Sequence, residues 1–268
     1  MKLISYSKED HAGTNIAKIL VEKIGFKKTS ETFDKNPIYE KGDTKLIASE
    51  KTVRELEEVP FNPEVMFVAS RHRSKSEKPT LTTHVTGNFG KAEMGGEDGK
   101  LCVAPALWLR ESFLSLSKNN KNEKYSVTLE VTHHGPTELP FPLIFIEVGS
   151  SEEQWQDVSA CEVVAKTISE LLTKNPEKVP VGIGFGGPHY APNFNPIMGK
   201  ITLGHIMPKH AMAFLDKKMV EQMLQKTIPK PELAVIDWKG MQGDERKILI
   251  NLLDELKIPY RKTSELKN

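Results

Sequence analysis

An α/β fold is what this chain predicts, on three observations. Strand-like and helix-like segments alternate along almost its whole length, the pattern of strands joined through helices. Leu143–Val148 is nearly continuous in apolar residues, as suits a central strand covered on both faces. At 268 residues and 38% hydrophobic content, the chain can bury a core large enough for one α/β domain or two closely packed lobes.

The elements follow in order. Leu3–Tyr6 reads as the first strand, and Asp10–Ile24 as a helix with Ile16, Ile19, Leu20 and Ile24 along one face. Ile38–Glu40 and Lys45–Ser49 make a hairpin about Gly42-Asp43. Val65–Ala69 is a buried strand and Leu81–Val85 another. Residues 86–100 carry Gly87, Gly90, Gly95, Gly96 and Gly99, and a connection of that length inside a compact domain is either functional or mobile. A helix runs from about Pro105 to Leu116, with proline near its first turn. Tyr125–Thr132 alternates as a strand. Val158–Thr173 is an amphipathic helix that buries Val163, Val164, Ile168, Leu171 and Leu172. Val179–Phe185 is a strand that leads into Gly186-Gly187-Pro188. Ile201–Leu203, a helix over His210–Lys226, and a strand–helix unit of Leu233–Asp237 and Asp244–Leu256 complete the chain. One domain over 1–268 is expected, and the exposed polar loop at 118–124 is where it could divide into two lobes.

The formal net charge of +1 gives no general nucleic-acid signal, so a polyanion must meet a local patch. The run Arg71-His72-Arg73-Ser74-Lys75 is the strongest of these, because it leaves an apolar strand. Lys27-Lys28 and the face with Lys209, Lys217 and Lys218 read first as solvated charge. No apolar run approaches the roughly 20 residues that span a bilayer. The start of the chain turns polar too soon for a signal peptide. Cys102 and Cys161 show no metal spacing and are expected to be free thiols in a reducing cytoplasm.

Chemistry concentrates in four histidine-bearing segments at strand ends. They are His84-Val85-Thr86-Gly87-Asn88, Thr132-His133-His134-Gly135-Pro136, Gly186-Gly187-Pro188-His189-Tyr190 and Gly204-His205, with five of the eight histidines. Imidazole titrates near neutrality and suits a metal ligand or general base. His133 and His134 can share a cleft only if their strand has ended before them, since consecutive strand residues face opposite ways. The competing reading packs one ring and exposes the other. Three imidazoles with a carboxylate, Glu147 or Glu130, could hold zinc with one position open to water, although no HExxH signature is present. His84, Thr86 and Asn88 offer groups that orient water or substrate, or else a turn that caps its own backbone. Gly186 and Gly187 could bring backbone amides to an anion. The GxSxG and GxxxxGK[ST] patterns are absent, which leaves hydrolysis by activated water.

Taken together, His84-Val85-Thr86-Gly87-Asn88, the stretch from Ala92 to Gly95-Gly96, Thr132-His133-His134-Gly135-Pro136, Gly186-Gly187-Pro188-His189-Tyr190 and Asp237-Trp238-Lys239-Gly240 resemble the archaeal and plant D-aminoacyl-tRNA deacylases, and Asp10 with Asn15-Ile16-Ala17 fits the same pattern. The resemblance spans essentially the whole chain. It implies a three-layer α/β/α fold with a mixed central sheet, similar to phosphorylase/hydrolase-like proteins and to peptidyl-tRNA hydrolase. It also implies zinc as cofactor and hydrolysis of the ester between a D-amino acid and the 3′ end of tRNA. On that reading His84, Thr86, Asn88, His133, His134 and His189 are catalytic, and His133, His134, His189 and Glu147 hold the metal. Gly186 and Gly187 or Thr86 and Asn88 stabilise the oxyanion. Phe89, Tyr190 or Trp238 stack on the terminal adenine, and Arg71, Arg73, Lys209 and Lys239 meet phosphates. No membrane and no obligate protein partner are implied. The rival readings are a metal-dependent peptidase or amidase and a tRNA-binding module without catalysis.

Overall fold

The computed structural model describes residues 1–267. Its strands are β1 (Lys2–Ser7), β2 (Lys27–Phe33), β3 (Asn36–Lys41), β4 (Thr44–Ser49), β5 (Met66–Arg71), β6 (Thr80–His84), β7 (Ala104–Pro105), β8 (Ser126–Leu129), β9 (Leu143–Gly149), β10 (Val181–Phe185), β11 (Thr202–Met207), β12 (Thr227–Ile228), β13 (Leu233–Ile236) and β14 (Tyr260–Lys262). Its helices are α1 (His11–Ile19), α2 (Ala106–Asn119), α3 (Glu152–Trp155), α4 (Val158–Thr173), α5 (Lys217–Gln225), α6 (Gly243–Glu255) and α7 (Thr263–Leu266). No helix among the described residues is long and apolar enough to cross a membrane.

The expected α/β architecture is present, with a large mixed sheet flanked by helices. Eight strands run in the order β2-β3-β4-β1-β5-β9-β6-β8. The pairs β1/β4, β1/β5, β5/β9 and β6/β8 are parallel, whereas β6 runs against β9. Every residue of β9 is buried, as its apolar run requires. Helices α1, α2 and α4 pack on one another and on this sheet. A second sheet, β11-β10-β13-β14, is parallel throughout. It has its own core, in which Ile183, Phe185 and Ile236 meet Met219, Met223, Leu249 and Leu253 of α5 and α6. Cys102 and Cys161 are buried and unpaired.

Several elements differ from the sequence reading. The helix from Asp10 widens at Leu20–Ile24 and stops at Gly25, whose φ of 92° takes the left-handed conformation that glycine allows. The edge strand β2 was not expected, because an outer strand satisfies its backbone through β3 without an apolar face. The strand placed at 125–132 ends at Leu129, and the one placed at 201–203 extends to Met207. The helix placed at 210–226 is divided. A 3-10 segment covers Lys209–Phe214, and α5 begins afresh where Asp216 caps it by accepting from the Met219 amide at 2.7 Å. Residues 118–124 join α2 to β8, which pairs within the large sheet.

Asp10 ties the first layer to the site side of the sheet. Its carboxylate accepts from the Gly13 amide of α1 and the Arg71 amide at the end of β5, both at 2.8 Å, and from Ser70 Oγ at 3.1 Å. Asp10→Ala is expected to lower stability by about 1–2 kcal/mol through the lost helix cap. Urea titration measures this, and unchanged stability would show the cap to be dispensable.

Candidate active site

Strand register creates the site. In the β5/β9 pair Ser70 faces Glu147, and in the β6/β9 pair Thr82 faces Glu147 while His84 faces Phe145. Residues two apart on a strand share a face, so His72 and His84 approach Glu147 diagonally from its two neighbouring strands. In the β6/β8 pair Thr83 faces Leu129. One step further brings Glu130 beside His84. Four residues from four strands that are scattered in sequence therefore meet in one row.

The loops after those strands add the remaining imidazoles. Regular pairing of β8 has ended by Glu130, and His134 has a φ of 43°, so both His133 and His134 turn inward, with ring centroids 4.4 Å apart. His189 arrives from the exit of β10, tied back where the Val131 amide donates to its carbonyl at 3.0 Å. Around Glu130, His189 Nε2 lies at 2.7 Å, His72 Nδ1 at 3.1 Å and His133 Nε2 at 3.5 Å. Around Glu147, His84 Nε2 lies at 3.4 Å and His72 Nδ1 at 3.7 Å. Both Glu130 oxygens and His84 Nε2 are buried without a directed hydrogen-bond partner. Two sets of three, His84/His133/His134 and His72/Glu130/His189, each place their ligand atoms within 4.8 Å of one another.

Charge is distributed unevenly. Burial opposes ionisation of both carboxylates, but the imidazoles outweigh it. His72 and His189 hold Glu130 well below the usual carboxylate range, and His72 and His84 hold Glu147 at about 2. Burial likewise opposes a charge on His72, yet Glu130 and Glu147 raise it to about 11. Glu147 raises His84 against its burial in the same way. Burial and the neighbouring His84 instead push His133 down to about 3, and burial with His133 pushes His134 well below the ordinary imidazole value. His133 and His134 are thus neutral, with lone pairs available to a cation.

A cavity of about 1050 Å³ opens over this floor, where His72, His133, His134, His189 and Glu147 line it. Arg54, Arg71, Arg73 and Lys75 stand on its walls with Met94 and Trp155. Arg71 lies over the Trp155 ring at 5.0 Å. Arg71 and Arg73 are therefore where the sequence reading put them, beside the site.

Other expected residues have different work. Thr86 Oγ1 donates to the Pro136 carbonyl at 2.6 Å, and Asn88 Nδ2 donates to the Gly95 and Glu97 carbonyls at 3.0 and 3.2 Å. Both hold the glycine-rich loop, and their donors are not free for an oxyanion. The Gly186 amide donates to the Met207 carbonyl and the Gly187 amide to the Gly240 carbonyl, so the expected anion-holding pair is already engaged. Phe89 is buried in the second core and offers no stacking face. Trp238 carries Lys262 Nζ at 4.4 Å and Arg246 at 5.2 Å over its ring. The Tyr190 hydroxyl points inward to His72 Nε2 at 2.9 Å. Lys209 and Lys239 are exposed at the ends of β11 and β13. His205 is a core residue whose Nε2–H donates to the Cys102 carbonyl at 3.1 Å. Two members of the cluster were missed or undervalued. His72 was hidden in a basic run that reads as surface, and Glu130 was named only as an alternative to Glu147. An inward-facing histidine at a buried strand's exit is the signal that could have found His72.

A sequence model described as D-aminoacyl-tRNA deacylase matches residues 59–261. A D-aminoacyl-tRNA deacylase of Pyrococcus horikoshii is 40% identical, covering 98% of this chain and 100% of that protein. One of Methanosarcina mazei is 41% identical, covering 80% of this chain and 72% of that protein. The crystal structure of a conserved protein of unknown function, AF0625, superposes with a TM-score of 0.91 at 28% identity, over 100% of this chain and 96% of that one.

Two outcomes follow from the geometry. A Cβ on Gly135 would stand 2.4 Å from both the Arg54 carbonyl oxygen and the Gly96 amide nitrogen. Gly135→Ala must displace one of these segments, and a loss of about 1–3 kcal/mol is expected in thermal or urea unfolding. Burial holds His205 down to about 3 from 6.5. Above pH 6.5 it is neutral folded or unfolded. Below it only the unfolded chain takes the proton, so stability drains as pH falls towards 3. His205→Asn should flatten that slope by about 1.4 kcal/mol per pH unit, and an unaltered slope in urea titrations would refute the assignment.

Proposed function

The chain belongs to the D-aminoacyl-tRNA deacylase family, and from that membership we propose that it hydrolyses the ester joining a D-amino acid to the 3′ end of tRNA, with zinc as its cofactor. The observation that carries this reading is the pair of buried carboxylates ringed by imidazoles at the floor of an open cavity.

The donor set fits zinc, which takes imidazole nitrogen and carboxylate oxygen. The Glu130 oxygens and His84 Nε2 lack directed hydrogen bonds, and a cation that displaced the His84 proton would satisfy them. His84, His133 and His134 would form one ligand group, and His72, Glu130 and His189 another, with Glu147 between them through His84 and His72. This enlarges the expected set of His133, His134, His189 and Glu147. Bound zinc would supply a Lewis acid and a water ionised near neutrality.

The chain's own residues orient and protonate. Glu130 fixes the ring of His189 at 2.7 Å. His189 keeps 39% of its side chain exposed, the most open position among the clustered imidazoles paired with a carboxylate. In this reading its Nδ1, the nitrogen not turned to Glu130, would pass a proton to the departing ribose oxygen. Arg54, Arg71, Arg73 and Lys75 would take the phosphates that follow the terminal nucleotide into the cavity, making binding sensitive to salt. Lys209 and Lys239 are assigned to phosphates farther along the acceptor stem. Chiral selection is assigned to the cavity wall, where one side-chain configuration would clash.

Hydrolysis of matched D- and L-tyrosyl-tRNA, with chelator and with zinc restored, tests the reading. Selective release of the D-amino acid is expected, abolished by chelation and recovered with zinc. His133→Ala, His134→Ala and His189→Ala should each reduce kcat/KM roughly 100-fold or more while the proteins stay folded. Release from neither ester by folded, zinc-loaded protein would overturn the assignment.

A further inference from the structure

Behind His72 runs a chain of hydrogen bonds whose direction is dictated from its far end. The Lys78 carbonyl can only accept, so Ser150 Oγ, 2.7 Å away, gives it its single proton. Ser150 then has only lone pairs for its other neighbours, the Thr80 hydroxyl at 3.2 Å and the Tyr190 hydroxyl at 3.2 Å. Tyr190 therefore donates to Ser150 and has only a lone pair for His72 Nε2 at 2.9 Å. His72 must be the donor in that last contact. Ser150 is buried and His72 is held in place, since Trp155 Nε1 donates to its backbone carbonyl at 2.9 Å.

We propose that Tyr190 and Ser150 are positioning residues that keep the proton of His72 on Nε2, so that Nδ1 is always the atom turned towards Glu130 and Glu147. When a cation displaces one of its protons, a histidine beside two carboxylates could otherwise keep the N–H that faces them and leave its lone pair outward. The relay denies it that arrangement, because a lone pair on Nε2 would face the lone pair of Tyr190. Partners of this kind, one bond removed from a ligand, fix the ring's tautomer and its angle. Tyr190 thereby serves the reaction through its hydroxyl, rather than through its ring as a stacking surface for adenine.

The proposal rests on the zinc reading for its consequence, but not for its geometry, and two measurements keep these apart. In metal-free, 15N-histidine-labelled protein the His72 Nε2–H should exchange slowly with solvent, and it should exchange rapidly in Tyr190→Phe. Zinc affinity, measured by competition with a chromophoric chelator, should fall roughly 10- to 100-fold in Tyr190→Phe and less in Ser150→Ala. Thermal unfolding of the metal-free variants shows whether each is folded, and Ser150→Ala retains the tyrosine if Tyr190→Phe does not fold. A His72 protonated on Nδ1 alone would overturn the proposal. So would wild-type zinc affinity in both variants. A wild-type protein that takes up no zinc would sink the metal assignment, and the exchange measurement would still judge the relay.

Discussion

Two carboxylates lie side by side at the floor of the cavity, almost wholly buried, and most of the structure answers to that fact. An ionised carboxylate in a low-dielectric interior is expensive unless positive charge or hydrogen bonds surround it. Here imidazoles from three directions bring positive charge to Glu130 and Glu147. The imidazoles divide in consequence. Those that face Glu147, His72 and His84, are drawn into the charged state, while burial and the neighbouring imidazoles keep His133 and His134 neutral. A centre of this kind holds its cationic charge as protons until something better arrives, and a divalent cation that displaces those protons meets ligands already in place.

Close backbone approach keeps the centre in shape. Gly95, Gly96 and Gly135 sit where the glycine-rich loop, the histidine pair and the segment at Arg54 touch, and none has room for a side chain. Asn88 and Thr137 then fasten the loop through its own carbonyls and amides, and Thr86 ties the loop's first residue to the Pro136 carbonyl. The residues that looked catalytic by type are thus partly the scaffold for those that are placed to act. Chemistry and support draw on the same short polar side chains, and only distances separate the two roles.

Much of the molecule was legible in the residues. The apolar run of β9, the amphipathic α4 and the first strand–helix unit were placed within a few residues, because each follows a strong hydrophobic period. His84, His133, His134 and His189, which the structure brings together, stood out because imidazoles beside glycine or proline at strand ends are distinctive. The order β5-β9-β6-β8 was not legible, since no local signal says which strands become neighbours. Without that order nothing joins His72 to Glu147, or Glu130 to His84. The engaged amides of Gly186 and Gly187 were equally invisible, because their acceptors lie in β11 and beyond β13. The division of the helix at Asp216 was lost for a different reason, since its apolar period continues across the break.

The seam between the two sheets has its own consequence. His189 belongs to the exit of β10 in the small sheet, whereas every other clustered imidazole and both carboxylates come from the large one. The sheets are joined by backbone bonds from the Val131 amide to His189, the Ala191 amide to Leu129 and the Thr132 amide to Ile206, and by side-chain bonds such as those of Tyr190 to His72 and Ser150. Docking of the sheets and completion of the centre are therefore one event. The pairings involved bring together residues far apart in the chain, and such contacts form late in folding and open early in partial unfolding. A chain whose sheets have not docked lacks its outermost imidazole, so the full cluster exists only in the assembled molecule.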